Sequence, residues 1–436
     1  MAKVVIGGGP SGVLAASCLK GATLLEPEAH AGGLPWPEVP IGRGVSEDVA
    51  GAAAAIAAHA GAAPVASGYA KGLWCGGRLW ELPFSRRQLR EMLPGGEASR
   101  ALLEWTRTRA GLMARDTLLG GGFEERSYRD WVVQRYGRSA YQLLYGPYGH
   151  KRFGDPEGAS VNLARQHHGL VRDAALVGVG ASPQEGWGAL TSGLEVQTDC
   201  GIEGIEVTDG RVSRVLADSG AIEVDEIWSA APLHELAEYL GDELALGLRM
   251  DVARIETRHR MQVIVPIASR RDLPAEIHVV DDAPFFRLSL PELLPGGDAL
   301  AGHAIAHIAL DDGDPLWSAS DARVTDAVVS AMSSIGFPAG TAAGGRVLRL
   351  ADHDPAWRGP WHPAWVRVAT AVERMGIHLA GRGGLHRRVS AGAELLYYEG
   401  LLADDTPDWH ELSRLLLDPP VKLDDLDVSI TRFVER

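Results

Sequence analysis

The residues with the plainest chemical potential stand at the start of the chain. Gly7, Gly9 and Gly12 follow a G-x-G-x-x-G spacing, Glu26 comes 14 residues after Gly12, and a Gly32-Gly33 pair lies just beyond. In such a unit the first glycine permits a tight turn and the second lets the backbone approach a pyrophosphate. The third lets a helix pack closely on the preceding strand. The helix N-terminus adds unpaired N–H groups and the positive end of a dipole. An acid at the end of the next strand accepts hydrogen bonds from ribose hydroxyls and disfavours a 2′-phosphate, which sets NADP aside. The chain holds 53 glycines, so three of them could equally make a plain turn, and Gly32-Gly33 a surface one. Context decides between these readings.

That context is present. Lys3-Val4-Val5-Ile6 is a β-rich run, residues 13–20 (VLAASCLK) are helix-forming, and residues 22–25 (ATLL) form a second short strand ending on Glu26. The step from Gly12 to Glu26 is about one helical turn shorter than usual, which predicts a clipped first helix. Further on, residues 50–63 read as an Ala-rich helix and residues 72–84 as a hairpin turning at Gly76-Gly77. Residues 85–177 are mostly helical by the spacing of their apolar positions. Tyr141, Tyr145 and Tyr148 share that spacing, which points to packing. Strands return over 194–228, with turns at Asp209-Gly210 and Ser219-Gly220, and again over 255–310. A helix follows at 320–335, then a second strand-then-glycine unit at 377–384 and a helix at 397–402. Nucleotide-binding pieces thus fall at the start, middle and end of an α/β chain, with other material inserted between them.

The bulk numbers bound the function. With 436 residues, 46% of them hydrophobic and 23% charged, the chain can build two or three cores. A net charge of -15 repels a phosphate backbone and excludes nucleic acid as a partner. The three cysteines, Cys18, Cys75 and Cys200, form no CxxC and no Cys/His cluster, so no metal is expected and a reducing, cytoplasmic setting is. No apolar run approaches a transmembrane segment, and glycines interrupt the N-terminus where a signal peptide would be apolar. No GxSxG, HExxH or Walker pattern competes with the opening unit.

An acid followed within a few residues by Gly-Gly, as in Glu26 to Leu34, resembles the second fingerprint of the FAD-binding amine oxidase and protoporphyrinogen oxidase superfamily. Residues 123–168 resemble a further segment of that superfamily. The matching residues are Ser127, Asp130-Trp131-Val132, Gly137, Tyr141, Pro147-Tyr148, Lys151, Gly154, Pro156 and Ser160. Trp228-Ser229-Ala230-Ala231-Pro232 resembles the adenosine-side strands, residues 281–287 a piece of the substrate domain, and Gly381-Arg382 the "GR" that precedes a helix aimed at the flavin. Protoporphyrinogen oxidase-like proteins and UDP-galactopyranose mutase are the nearest by pattern. The resemblance implies a Rossmann-like FAD-binding domain (1–70, 185–240 and 345–436) interleaved with an α+β substrate-binding domain (71–184 and 241–344). It implies non-covalent FAD held by Gly7, Gly9, Pro10, Ser11, Gly12, Glu26, Pro27, Gly32, Gly33, Leu34, Ile202, Gly381, Arg382, Val389, Ser390 and Ala391. The chain departs from the pattern at His167, where relatives carry Arg, and at 385–390 and 41–45.

The activity so implied is that of an oxidoreductase passing a hydride from a small substrate to flavin N5, which needs no obligatory acid or base. Arg287, Lys151 and His167 are the candidates for touching the substrate, and basic islands such as 150–152 and 258–260 can hold an anionic one. The alternative is a redox-neutral mutase acting on a nucleotide sugar. A third reading is a protein-binding module like the Rab GDP-dissociation inhibitors, against which the retained glycines and Glu26 argue.

Overall fold

β1 (Lys3–Ile6) has parallel partners on both sides, β2 (Ala22–Leu25) and Glu226–Ser229. The outer strands Glu195–Gln197 and Ile377–Leu379 extend the sheet to five, all parallel. A parallel sheet must be covered on both faces, and Val4, Val5, Ile6, Leu24, Leu25 and Ile227 are accordingly all buried. α1 (Pro10–Cys18) joins β1 to β2 in only 9 residues, the clipped helix that the Gly12-to-Glu26 spacing predicts. The computed structural model describes residues 2–19, 21–29, 31, 44–45, 64–82, 86–92, 96–119, 127–161, 163, 174–179, 191–268, 270–293, 300–338, 340–359 and 361–386. The expected helices at 50–63 and 397–402 lie outside them.

An antiparallel meander, Ile202–Thr208, Arg211–Ala217 and Gly220–Glu223, turns where the sequence predicts. Asp209 (φ 54°) and Gly210 (φ 77°) both take the left-handed conformation that a tight hairpin demands. A second core lies on a seven-stranded sheet in the order Arg346–Pro355, Thr257–Pro266, His303–Leu310, Arg287–Ser289, Glu276–Val279, Lys71–Cys75, Arg78–Glu81. The predicted hairpin is its edge, and the Asp281 carboxylate accepts from the N–H groups of Gly76 (2.7 Å) and Gly77 (2.9 Å) in the turn. The helix Asp321–Ser334 buries Val324, Val328 and Met332 in the same core. The strand Arg346–Pro355 bonds to Thr257–Pro266, so it belongs to this sheet although the sequence reading groups 345–436 with the first. Its ladder partner is some 90 residues upstream, and such pairing leaves no local mark. Ala174–Val179 is likewise a strand where helix is expected, because its apolar, Gly-containing run pairs with Pro64–Tyr69.

A helical group includes Glu97–Leu119, Tyr128–Tyr136 and Gly146–Phe153, the last of which packs on the strand His303–Leu310 of the seven-stranded sheet. Ser127 caps the second of these by accepting from the Asp130 N–H (3.2 Å). The stretch Tyr141–Tyr145 is a π-helical turn, closed by a bond from the Gly146 N–H to the carbonyl of Tyr141. Tyr145 and Tyr148 are buried, as their spacing predicts.

The two halves are tied at His234, on the helix Leu233–Leu240, whose Nε2 lies 2.9 Å from Asp352 Oδ2. The Thr257 hydroxyl donates to the other Asp352 oxygen (2.5 Å). The His234 bond, more than any other influence, lowers the Asp352 pKa to about 2, and Asp352 in turn raises that of His234. A raised histidine contributes stability that is complete below its ordinary pKa of 6.5 and is lost as pH climbs through the raised value. The depressed Asp352 contribution is present above 3.8 and lost as pH falls through about 2. His234→Gln should therefore lower the unfolding midpoint most between about pH 4 and 6.5, and progressively less toward pH 9. Urea melts of both proteins at pH 5, 7 and 9 check this, and an equal loss at all three would refute it.

Candidate functional site

Gly7 closes β1 with φ at 92°, and its N–H donates to the Leu25 carbonyl (2.9 Å). A Cβ on Gly12 would run into the Gly7 carbonyl oxygen, so the third glycine is what lets α1 start against the strand. A Cβ on Gly8 would lie 2.7 Å from Glu26 Oε2. At Gly9, the N-cap of α1, a Cβ would meet nothing within 4 Å. Among the described residues that side of the turn is open. Pro10 opens the helix at its first position, where its missing N–H costs no bond.

Glu26 is 6% exposed. Its carboxylate accepts from the N–H groups of Gly8 (2.6 Å) and Glu28 (2.9 Å). Burial raises its pKa, and these two bonds oppose the rise. Its backbone is held by Gln197 and Cys200 (2.9 and 3.0 Å), which brings the start of the Ile202 strand alongside. Ile202 packs half-buried on the core, whereas Pro27 is exposed. Gly32, Gly33, Leu34, Val389, Ser390, Ala391 and His167 lie outside the described residues.

The second glycine unit closes over the first. Gly381 has φ at 67°, and a Cβ there would sit 2.5 Å from that of Ser11, the second residue of α1. Gly383 and Gly384 approach the backbone of Ser229 to Pro232 so closely that a Cβ on either would come within 3.0 Å of it. The sequence reading names the strand-then-glycine unit at 377–384 but gives a role within it only to Gly381-Arg382. The GG that follows is the signal for this contact, since it repeats the strand-then-glycine order of the N-terminus. Arg382 reaches away from the turn, to His353 Nε2 (2.7 Å) and Asp354 Oδ1 (3.3 Å).

On the second sheet lies a buried polar cluster that the sequence reading did not assemble. Arg260 and Arg382 share Asp354, which is 1% exposed. Glu276 faces Arg287 (3.6 Å), Lys71 (3.8 Å) and His278 Nε2 (3.2 Å). Burial works against the Glu276 carboxylate, yet Arg287, His278 and Lys71 hold its pKa well below the usual range. The Tyr148 hydroxyl sits between Arg152 Nη1 (2.7 Å) and His278 Nδ1 (2.9 Å). An arginine can only donate, so the tyrosine accepts from Arg152 and donates to Nδ1, which leaves the His278 proton on Nε2 toward Glu276. Burial pushes the His278 pKa down to about 4, so that neutral tautomer holds at physiological pH.

Of the three substrate-side candidates, the two that are described, Arg287 and Lys151, are not brought together. Arg287 belongs to the buried cluster. Lys151 lines a separate groove of about 590 Å³ with Tyr141, His150 and Asp282, and donates to the Asp281 carbonyl (2.8 Å). Burial lowers the Lys151 pKa to about 8. Among the described residues no cluster of His, Cys, Asp and Glu could hold a metal ion, and no helix is long and apolar enough to cross a membrane. The three cysteines form no disulfide.

No protein-family model matches the chain, and no curated protein sequence does either. Solved structures do match. Reduced UDP-galactopyranose mutase superposes with a TM-score of 0.70 at 14% identity, over 94% of this chain and 97% of that one. A putative protoporphyrinogen oxidase from Exiguobacterium sp. 255-15 gives 0.66 at 16% identity, over 93% and 98%. Cyclohexylamine oxidase from Brevibacterium oxydans IH-35A gives 0.60 at 13%, over 92% and 99%. The chain shares the α/β fold of these three structures over 92–94% of its length, the fold class that the motifs imply.

The glycines of the turn should separate experimentally. Gly12→Ala sets a methyl against a backbone carbonyl that cannot rotate away, and should destabilise the protein by about 1–3 kcal/mol despite the better helix propensity of Ala. Gly9→Ala meets open space at an ordinary φ and should cost no more than about 1 kcal/mol. Urea unfolding midpoints of the two variants test the difference, and equal midpoints would show that the Gly12 contact is not what sets the turn.

Proposed function

We propose that this protein is an FAD-dependent oxidoreductase that passes a hydride from a small organic substrate to N5 of a non-covalently bound FAD. The observation that carries the reading is the opening turn, where an open backbone at Gly9, the helix start and Glu26 converge. The residues present fit the cofactor. The N–H groups at the start of α1 are available to a pyrophosphate. A carboxylate has about four acceptor sites, and Glu26 spends two on Gly8 and Glu28, which leaves two for ribose hydroxyls. When bound, FAD would supply the hydride-accepting chemistry, and the protein contributes position and electrostatics. Gly381 and Ser11 hold the two glycine units together, and Arg382 anchors the second of them to Asp354. The last cysteine in the sequence is Cys200, so the C-terminal segment offers no thiol for covalent attachment. A cytoplasmic setting fits three cysteines without a disulfide.

Purified full-length protein should carry flavin that acid releases as FAD, close to one per chain. A colourless protein that neither releases nor binds FAD would sink the proposal. Gly9→Ala should stay folded yet bind FAD at least about tenfold more weakly, a change of about 1.4 kcal/mol. Turnover should consume an electron acceptor, oxygen or a dye. Product formation on prior reduction of the flavin, with no net acceptor consumed, would favour the mutase alternative instead.

A further inference from the structure

Three guanidinium groups surround the ring of Phe286. Arg260 lies 4.7 Å from its centroid, Arg152 5.5 Å and Arg287 5.9 Å. Arg152 also lies 5.3 Å from the Phe153 centroid and 5.8 Å from that of Tyr148, so aromatic faces support all three guanidinium groups. Arg382 joins them through Asp354 and Lys71 through Glu276, so that in the ion pairs among the described residues five cations meet two carboxylates. Asp354 is shared by Arg260 and Arg382, and Glu276 by Arg287 and Lys71. Arg152 makes no ion pair among the described residues: its hydrogen-bond partner there is the Tyr148 hydroxyl, and Asp354 and Glu276 favour its charge only from beyond contact. The Nε atoms of Arg152, Arg260 and Arg287 are all buried without a hydrogen-bond partner. Composition does not produce this excess, because the chain as a whole carries -15. The neighbouring histidines report the same field. After burial, Arg287 and Arg260 are the main reasons His307 is held neutral, and it lies 2.9 Å from Ser289 on that strand pair.

Buried charge without a partner is strongly unfavourable, and a protein keeps it where a ligand completes the site. Arginine suits this role, since its planar fork takes two oxygens of a carboxylate or phosphate at once. We infer that Arg152, Arg260 and Arg287 form a binding site for the anionic group of the substrate, a carboxylate or a phosphate. The word substrate rests on the oxidoreductase reading, whereas the anion site does not. The pyrophosphate grip at Gly7 to Gly12 is on the other sheet, so the cofactor's own phosphates are accounted for elsewhere.

The test uses the full-length protein as purified. Sodium malonate and sodium pyrophosphate are titrated separately at constant ionic strength, followed by calorimetry and by melting temperature. Saturable binding of at least one probe is expected, weakened tenfold or more by Arg152→Gln and by Arg287→Gln. Arg214→Gln, on an exposed hairpin where Arg214 pairs with Glu206, should leave it unchanged. Preference for malonate marks a carboxylate group and preference for pyrophosphate a phosphate; either supports the site. If Arg152→Gln does not fold, Arg287→Gln carries the comparison, since Lys71 remains beside Glu276. No saturable binding of either probe, or binding that Arg287→Gln leaves intact, overturns the proposal. A flavin-free protein that binds a probe through these arginines removes the oxidoreductase reading and keeps the anion site. A flavin-containing protein that binds neither probe removes the anion site alone.

Discussion

Asp354 is almost wholly buried, and a carboxylate in that position survives only with cations beside it. It has two, and they come from different parts of the chain. Arg260 stands on a neighbouring strand of the same seven-stranded sheet, and Arg382 on the glycine unit that closes over the N-terminal glycine turn. Because one carboxylate serves both, the second sheet fixes where residues 381–385 lie, and these in turn set the spacing at Ser11 and α1. The five-stranded and seven-stranded sheets thus do not carry independent cores in contact. They share a charge that neither could bury alone.

The same economy shapes the acid–base inventory. His278 and His307 are neutral, Glu276 is held ionised, and Tyr148 is tied between Arg152 and His278. Neither histidine nor Glu276 is poised to exchange a proton near neutral pH. A site so arranged binds and orients, which suits chemistry in which a hydride moves and no protein acid or base is obligatory.

Much of this was legible in the sequence where the constraint was local. The turns at Gly76-Gly77 and Asp209-Gly210, the cap at Ser127, and the clipped α1 each follow from a backbone conformation or a spacing confined to a few residues. The Gly383-Gly384 contact was nearly legible, as a glycine pair after a strand. The strand at 346–355 and the polar cluster were not. Tyr148 and His278 are 130 positions apart, and no short-range pattern joins them. The hint that exists is charge on otherwise apolar strands, as in RHRMQVIV and FFRLSL, where surface alternation would have been the ordinary reading.

The π-helical turn at Tyr141–Tyr145 immediately precedes the helix that carries Tyr148 and Arg152. Such a turn holds one residue more than an α-helical path would. It therefore works as a phase setting, since one residue advances the helix face by about 100°. In a regular helix over the same span, Tyr148 and Arg152 would point about a quarter-turn away from His278 and Phe286. A single backbone irregularity aims both side chains at once, and the i,i+4 spacing keeps them aimed together.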